Sequence, residues 1–257
     1  MKLAEIIARF EETFPKKYAY EWDNVGLLCG DAQQEVRRVF VTLDVTRQTL
    51  QEAILQKADC IFSHHPLIFS GLKKITTDSV IGELLLLAIQ NGISIYAAHT
   101  NLDVAPKGIN AVLAEAFSLC DVSFIEPNPE FAEAGLGVIG TVEPASLTDF
   151  CNRVKSVLST PFVRVCGNGG AIISRVAIGS GSCSDLAPAA KRMGADVILT
   201  GDFKYHDALD SVQEEIAIID AGHFPTEEIS KKIIADCLKP LGLEIVYSSQ
   251  KDVFSVL

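Results

Sequence analysis

Apolar residues recur at helical spacing from Leu3 to Phe14 and stop before Pro15, a pattern that predicts an amphipathic opening helix. Val36 to Asp44 then reads as a buried strand, Arg47 to Lys57 as a helix, and Cys60 to Ser63 as a second buried strand. A helix over Ile81 to Gln90, closed by Asn91-Gly92, precedes a strand from Ile93 to Ala98, and a further helix runs through Phe117. Strands alternating with helices at this spacing predict βα units and a largely parallel sheet. The pattern pauses at Pro127-Asn-Pro129, among Glu126, Glu130 and Glu133, so the expected boundary separates residues 1–126 from 127–257. Beyond it, strands are predicted near 136–142, 162–165, 176–179, 197–199 and 216–219, with helices near 147–158, 185–193, 205–214 and 227–238.

The two regions use one pattern twice. Ala58-Asp-Cys-Ile-Phe-Ser-His-His65 aligns with Ala195-Asp-Val-Ile-Leu-Thr-Gly-Asp202, strand on strand, with the polar ends in register. Ile95-Tyr-Ala-Ala-His99 likewise aligns with Ile219-Asp-Ala-Gly-His223, and each histidine has a carboxylate four residues on, Asp103 and Glu227. The expected fold class is α/β, with two similar subdomains built on largely parallel mixed sheets.

Charge changes the picture. A formal net charge of -11 opposes attraction to phosphate backbones, so nucleic acid is not an expected partner, and an anionic small molecule must be met locally by metal ions and lysines. Lys73, Lys74, Lys107 and Lys204 lie near the motif loops. The longest wholly apolar run, Leu84 to Ile89, is far short of the roughly 20 residues that span a bilayer, and the opening helix lacks the apolar core of a signal peptide. The seven cysteines contain no C-x-x-C pair and read as buried small residues, which fits a reducing cytoplasm. Apolar residues make up 48% of the chain against 21% charged, a balance that hints at surface buried between subunits.

The candidate chemistry sits at strand ends. The five histidines, His64, His65, His99, His206 and His223, all fall at or just past a predicted strand end. Neighbouring side chains on a regular strand point to opposite faces, so His64 and His65 share one ion only if the backbone turns sharply, and two adjacent ions are the easier geometry. Imidazole with carboxylate suits Zn, Mn, Fe or Ni. His64, His65, Asp103, His223 and Glu227 exceed the needs of one tetrahedral ion, which favours two divalent ions of the kind that lower the pKa of water in hydrolytic sites. His99, Asp202 and His206 are the candidates for proton transfer, with His99 and His206 alternatively orienting partners of the ligands. Asp202 and His206 are one helical turn apart and are expected to share a face of a helix that starts at the strand end. Asp23 and Asn24, beside the sole tryptophan Trp22, are candidate orienting groups in a site wall, with a tight loop of Asx turns as the alternative. The Gly/Ser-rich turn Gly179 to Ser184 offers a weak match to a phosphate cradle, and a capped turn is the plainer account of it and of Cys183.

Trp22-Asp-Asn-Val-Gly-Leu27, Ser63-His-His-Pro66, His99-Thr-Asn-Leu-Asp103, Thr200-Gly-Asp202 with His206, and Gly222-His223 with Glu227 together resemble the family of GTP cyclohydrolase type 2 homologues, also described as dinuclear-metal-centre or NGG-interacting-factor-three-like proteins. The resemblance covers nearly the whole chain. It implies two divalent ions in a cleft between two α/β subdomains, and a toroidal homohexamer whose sites face an inner cavity. Carried over by position, His64, His65, Asp103, His223 and Glu227 are the implied ligands, with Glu227 as a bridge. Longer members carry an inserted domain that the short connection around Pro127 lacks. The implied activity is metal-dependent hydrolysis of a small molecule, with a nucleotide such as GTP as substrate. A non-enzymatic metal-binding or scaffold ring and a dinuclear phosphoesterase are the alternatives.

Overall fold

The computed structural model describes residues 1–255. Along the chain the strands are β1 Gly26–Cys29, β2 Arg38–Thr42, β3 Cys60–Ser63, β4 Ser94–Ala97, β5 Cys120–Pro127, β6 Gly135–Ser146, β7 Arg164–Cys166, β8 Ile172–Ile178, β9 Val197–Thr200, β10 Ala217–Asp220 and β11 Glu244–Tyr247. They form two sheets, ordered β1-β4-β3-β2-β11 and β5-β6-β8-β9-β10-β7. Two compact units follow from this: residues 1–102 with 230–251, and residues 103–229 with the described part of the tail from Asp252. The chain thus crosses between units at Leu102-Asp103 and not at the proline-rich stretch. The proline-rich stretch marks only the turn between β5 and β6, which pair antiparallel. The last helix and strand return to the first unit because β11 pairs in parallel with β2, Ile245 opposite Val39.

In the first unit β2, β3 and β4 run parallel and β1 closes the edge antiparallel to β4. Every residue of β3 is buried, as expected of a central strand covered on both faces. The opening helix Leu3–Thr13 buries Leu3, Ile6 and Phe10. Phe10 lies 5.5 Å from Phe62 and 5.7 Å from Tyr96 by ring centroid, and the two strand rings stack at 4.7 Å. These three rings are fully buried. They hold β3 and β4, the strands that deliver the histidines, and truncating such a ring typically costs about 3–5 kcal/mol.

The second unit is more mixed than the first. Its centre, β8-β9-β10, is parallel, while β5, β6 and β7 pair antiparallel at the flanks. The sequence repeat reappears as geometry within each sheet. The Asp59 carboxylate accepts from the backbone N-H groups of Arg37 and Arg38 at the start of β2, and the Asp196 carboxylate accepts from those of Ser174 and Arg175 in β8. Past the strand ends, Ala98 N-H donates to Ser63 O at 2.9 Å, and Ala221 N-H donates to Thr200 O at 2.9 Å. In both units two adjacent parallel strands therefore present their carboxyl ends side by side, the edge at which open α/β sheets bind ligands.

Candidate metal centre

In the first unit β3 ends at Ser63 and the backbone bends through His64 and His65. Ser63 Oγ donates to His65 O at 2.8 Å, and His65 N-H donates to Leu43 O at 3.0 Å. That bend removes the strand alternation that separated the two rings. His64, His65 and His99 each offer a ring nitrogen, and these atoms lie within 4.8 Å of one another.

Each ring is clamped at Nδ1. His64 Nδ1 meets Ala98 O at 2.8 Å, His65 Nδ1 meets Asp44 Oδ1 at 2.7 Å, and His99 Nδ1 meets Asp23 Oδ1 at 2.9 Å. Bonding to an acceptor fixes the tautomer with the proton on Nδ1, so Nε2 carries the lone pair that binds a metal. The clamps are themselves braced. Gln250 Nε2 donates to Asp44 Oδ2 at 2.5 Å, and Asp23 Oδ2 accepts from Thr100 N-H at 3.0 Å and Thr100 Oγ at 2.6 Å. Burial alone would push the Asp23 carboxyl up, but hydrogen bonds from His99 and Thr100 outweigh it and hold the group at about 2. Asp23 is thus an orienting group, whereas Asn24 Nδ2 donates to Ile68 O at 2.6 Å and ties the turn to a neighbouring loop.

In the second unit His223 opens the short helix His223–Glu227. Its Nδ1 meets Asp202 Oδ2 at 2.7 Å and its Nε2 meets Glu227 Oε2 at 2.8 Å. Asp103 and Glu227 are both buried, and their carboxylate oxygens lie within 4.8 Å of one another. Two buried carboxylates this close hold each other's charge at high cost without a cation or proton between them. A Cβ on Gly181 would stand 2.0 Å from Glu227 Oε1 and 3.3 Å from His223 Nε2, so only a glycine backbone fits against these donors. Imidazoles with their lone pairs directed by Nδ1 clamps, and acidic oxygens gathered beside one of them, make a donor set that fits divalent transition ions.

Not every expectation holds. Asp202 has φ 56° and precedes Lys204, the N-cap of the helix Tyr205–Gln213, so it is not on that helix. The shared face expected of Asp202 and His206 does not form. His206 is exposed, its ring edge-on to Tyr205 at 5.3 Å, while Asp202 orients His223. The Gly/Ser turn is a capped turn more than a phosphate cradle, because four of its six N-H groups are spent inside the fold. Gly179 N-H donates to Leu199 O, Ser180 N-H to Asn110 Oδ1, Gly181 N-H to Thr226 Oγ, and Cys183 N-H to Thr200 Oγ. Burial, and after it the carboxylates of Asp103 and Glu227, push the Cys183 thiol far up, which removes it as a nucleophile. Sequence reasoning missed Asp44, Gln250 and Gly181. Asp44 left a signal, an acidic residue at the end of a strand neighbouring β3, and Gly181 was visible only as part of the Gly/Ser-rich turn.

An α/β protein with imidazoles and carboxylates converging at parallel strand ends belongs to the class of candidate divalent-metal proteins. The family profile described as Duf34/NIF3 (NGG1p interacting factor 3) matches residues 1–252, and the chain is a member of that family. It is 34% identical over 239 residues to the GTP cyclohydrolase 1 type 2 homolog of Clostridium perfringens, covering 91% of each chain. It is 32% identical over 255 residues to the protein of the same name from Lactococcus lactis, covering 98% of this chain and 97% of that one. Among solved structures, a Bacillus cereus protein related to NIF3 matches with a TM-score of 0.94 at 27% identity, over 100% of this chain and 99% of the other.

Proposed function

We propose that this protein is a dinuclear metal-dependent hydrolase of a small molecule, with a nucleotide such as GTP as the substrate class to which the relatives' name points. The observation that carries the reading is the set of Nδ1 clamps on His64, His65 and His99, which directs three Nε2 lone pairs as ligand or base, with His223 held between the carboxylates of Asp202 and Glu227. His64, His65, Asp103, His223 and Glu227 would hold the ions. Glu227 lies beside both His223 and Asp103 in that donor set. When bound, such ions supply Lewis acidity and activate water for attack at neutral pH.

The chain's own groups do the rest. Asp23 holds His99 in the tautomer whose Nε2 accepts a proton, and its carboxylate stabilises the imidazolium that results, the arrangement a general base needs. Asp202 and Asp44 keep the His223 and His65 rings from rotating away. A cytoplasmic, ring-shaped homo-oligomer belongs to the same proposal, supported by the family resemblance and by seven free cysteines.

The test is turnover by purified, metal-defined protein against a panel of nucleotides and phosphoesters, beside a His64→Ala variant. Metal-dependent turnover that His64→Ala abolishes is the expected result. Full metal occupancy with no turnover anywhere in the panel would overturn the hydrolase and leave a metal-binding scaffold.

A further inference from the structure

Next to His99 the first unit carries a group of aromatic rings that no part of the metal chemistry uses. Trp22 stacks on Tyr20 with ring centroids 5.6 Å apart and planes within 12° of parallel. Phe69 stands 5.9 Å from Trp22 at an angle of 47°. The edge of this group meets the proposed base directly, Trp22 at 6.4 Å and Phe69 at 6.5 Å from the His99 ring. A core would bury such rings, yet Trp22 is 60% exposed and Phe69 53% exposed. Exposed aromatic area of this size costs free energy unless something covers it.

The rings are exposed but anchored. Tyr20 N-H donates to Thr100 Oγ at 3.1 Å, and Asp23 N-H donates to Tyr20 O at 3.0 Å, closing a turn around Trp22. Asp23 then binds His99 and Thr100, and Asn24 Nδ2 ties the same turn to Ile68 O, one residue from Phe69. The hydrogen bonds that orient the His99 imidazole therefore also fix the Trp22 turn and the Phe69 loop beside it. One face of Trp22 is covered by Tyr20 and the rest of the ring stands in solvent, a π surface on a pinned turn whose backbone has little conformational entropy left to lose.

We propose that Trp22 and Phe69 are a stacking platform for the heteroaromatic ring of the substrate, which makes a purine-like base, and not the phosphate chain, the group that is recognised next to His99. A planar ring is the occupant the chemistry favours, because stacked and tilted aromatics at this spacing pair best with another π system. Phosphates fit as the outward end of the same ligand, since Lys73 and Lys74 follow Phe69 on the same exposed loop. The inference rests on the nucleotide reading above only for the choice of ligand.

The sole tryptophan of the chain is its own reporter. Metal-loaded wild-type protein is titrated with guanosine, GTP and inorganic triphosphate while Trp22 emission is followed, and affinities are measured independently by equilibrium dialysis. Guanosine and GTP should quench the emission and triphosphate should not. Trp22→Ala and Phe69→Ala should each weaken GTP binding by roughly 5- to 150-fold, the range base stacking on one aromatic ring commands, with metal content unchanged and Trp22→Phe largely restoring it. Equal response to triphosphate and guanosine, or Ala variants that bind GTP like the wild type, would overturn the platform while leaving hydrolysis to stand on its own assay. Binding that behaves as expected without any turnover would keep the platform and remove the hydrolase. A shift of oligomeric mass in Trp22→Ala, with no change in ligand binding, would assign the patch to a subunit contact and overturn the proposal.

Discussion

Asp202 Oδ2 lies 2.7 Å from His223 Nδ1 and reaches it from a left-handed backbone conformation, φ 56°. Asp and Asn tolerate that conformation where most residues do not, so the bond depends on the residue type twice, through its backbone and through its side chain. Asp202→Asn keeps the conformation and an acceptor oxygen but removes the charge. It should weaken metal binding by about 10- to 100-fold, the usual effect of losing a ligand's outer partner. Competition against a chelator of known affinity measures this, and unchanged affinity would show that Asp202 does not orient a ligand.

Gly181 carries the opposite constraint, a side chain that must be absent. Its φ is 63°, and an added Cβ would meet Glu227 Oε1 at 2.0 Å. Gly92 has nearly the same φ, 65°, with nothing within 4 Å of an added Cβ. Both Ala variants pay the left-handed strain of about 1–2 kcal/mol. Only Gly181→Ala should also lose bound metal, since Glu227 must move. Thermal unfolding and elemental analysis of the two variants separate strain from contact, and equal metal content in both would place Glu227 outside the metal site.

The legible part of this protein was the part fixed by burial. Cys60–Ser63 and Val197–Thr200 read directly from the sequence because a central parallel strand is apolar on both faces. The strand Cys120–Pro127 did not, because only Ile125 in it is buried and its remaining residues carry no alternation. Glu244–Tyr247 was missed for a different reason. It is a short edge strand whose partner, Arg38–Thr42, lies some two hundred residues earlier, a pairing that no local pattern encodes. The same distinction runs through the site. His64, His65, His99 and His223 were visible from residue type and strand-end position, whereas Asp44 and Gln250 act through contacts far along the chain from each other. The helical register assumed between Asp202 and His206 failed because Gly201 to Lys204, with the left-handed Asp202 among them, separate strand end from helix start.

Asp23 makes the acid limb of stability testable. Its carboxyl is lowered from the ordinary 3.8 to about 2, and its side chain is fully buried. A group depressed on folding stabilises fully above its unfolded pKa and loses that contribution as pH falls through the folded value. The window is therefore about pH 4 down to about 2, with a contribution of about 2 kcal/mol, of which about half is gone by pH 3. Urea unfolding of metal-free protein at pH 5, 4 and 3 should show a shallower decline for Asp23→Asn than for wild type. Parallel declines would mean that the Asp23 carboxylate is not held by His99 and Thr100 in solution.

Thiol reactivity should follow burial. Cys120 is exposed, whereas Cys60 and Cys183 are buried with their thiols pushed well above the ordinary range by that burial. Native protein treated with iodoacetamide should carry label on Cys120 long before Cys60 or Cys183, which should react only after unfolding. Peptide mass spectrometry gives the order directly. Early labelling of Cys183 would return it to consideration as a nucleophile.

The two remaining histidines divide the proton-transfer question. His99 has everything a general base requires: a clamped Nδ1, a charged carboxylate behind it, and a place within 4.8 Å of the His64 and His65 ring nitrogens. His206 has none of these, being exposed on its helix and touching the Tyr205 ring. A general base contributes typically about 10²- to 10⁴-fold, so on a substrate that the protein turns over, His99→Gln should lower kcat by about that factor. His206→Ala should change kcat by less than about threefold, the scale expected of a surface substitution away from the chemistry. Metal content decides what the loss in His99→Gln means. If the variant keeps its ions, His99 carries the proton; if it loses one, His99 is a ligand and the Asp23 clamp serves metal binding. A large loss in His206→Ala with metal retained would reverse the assignment.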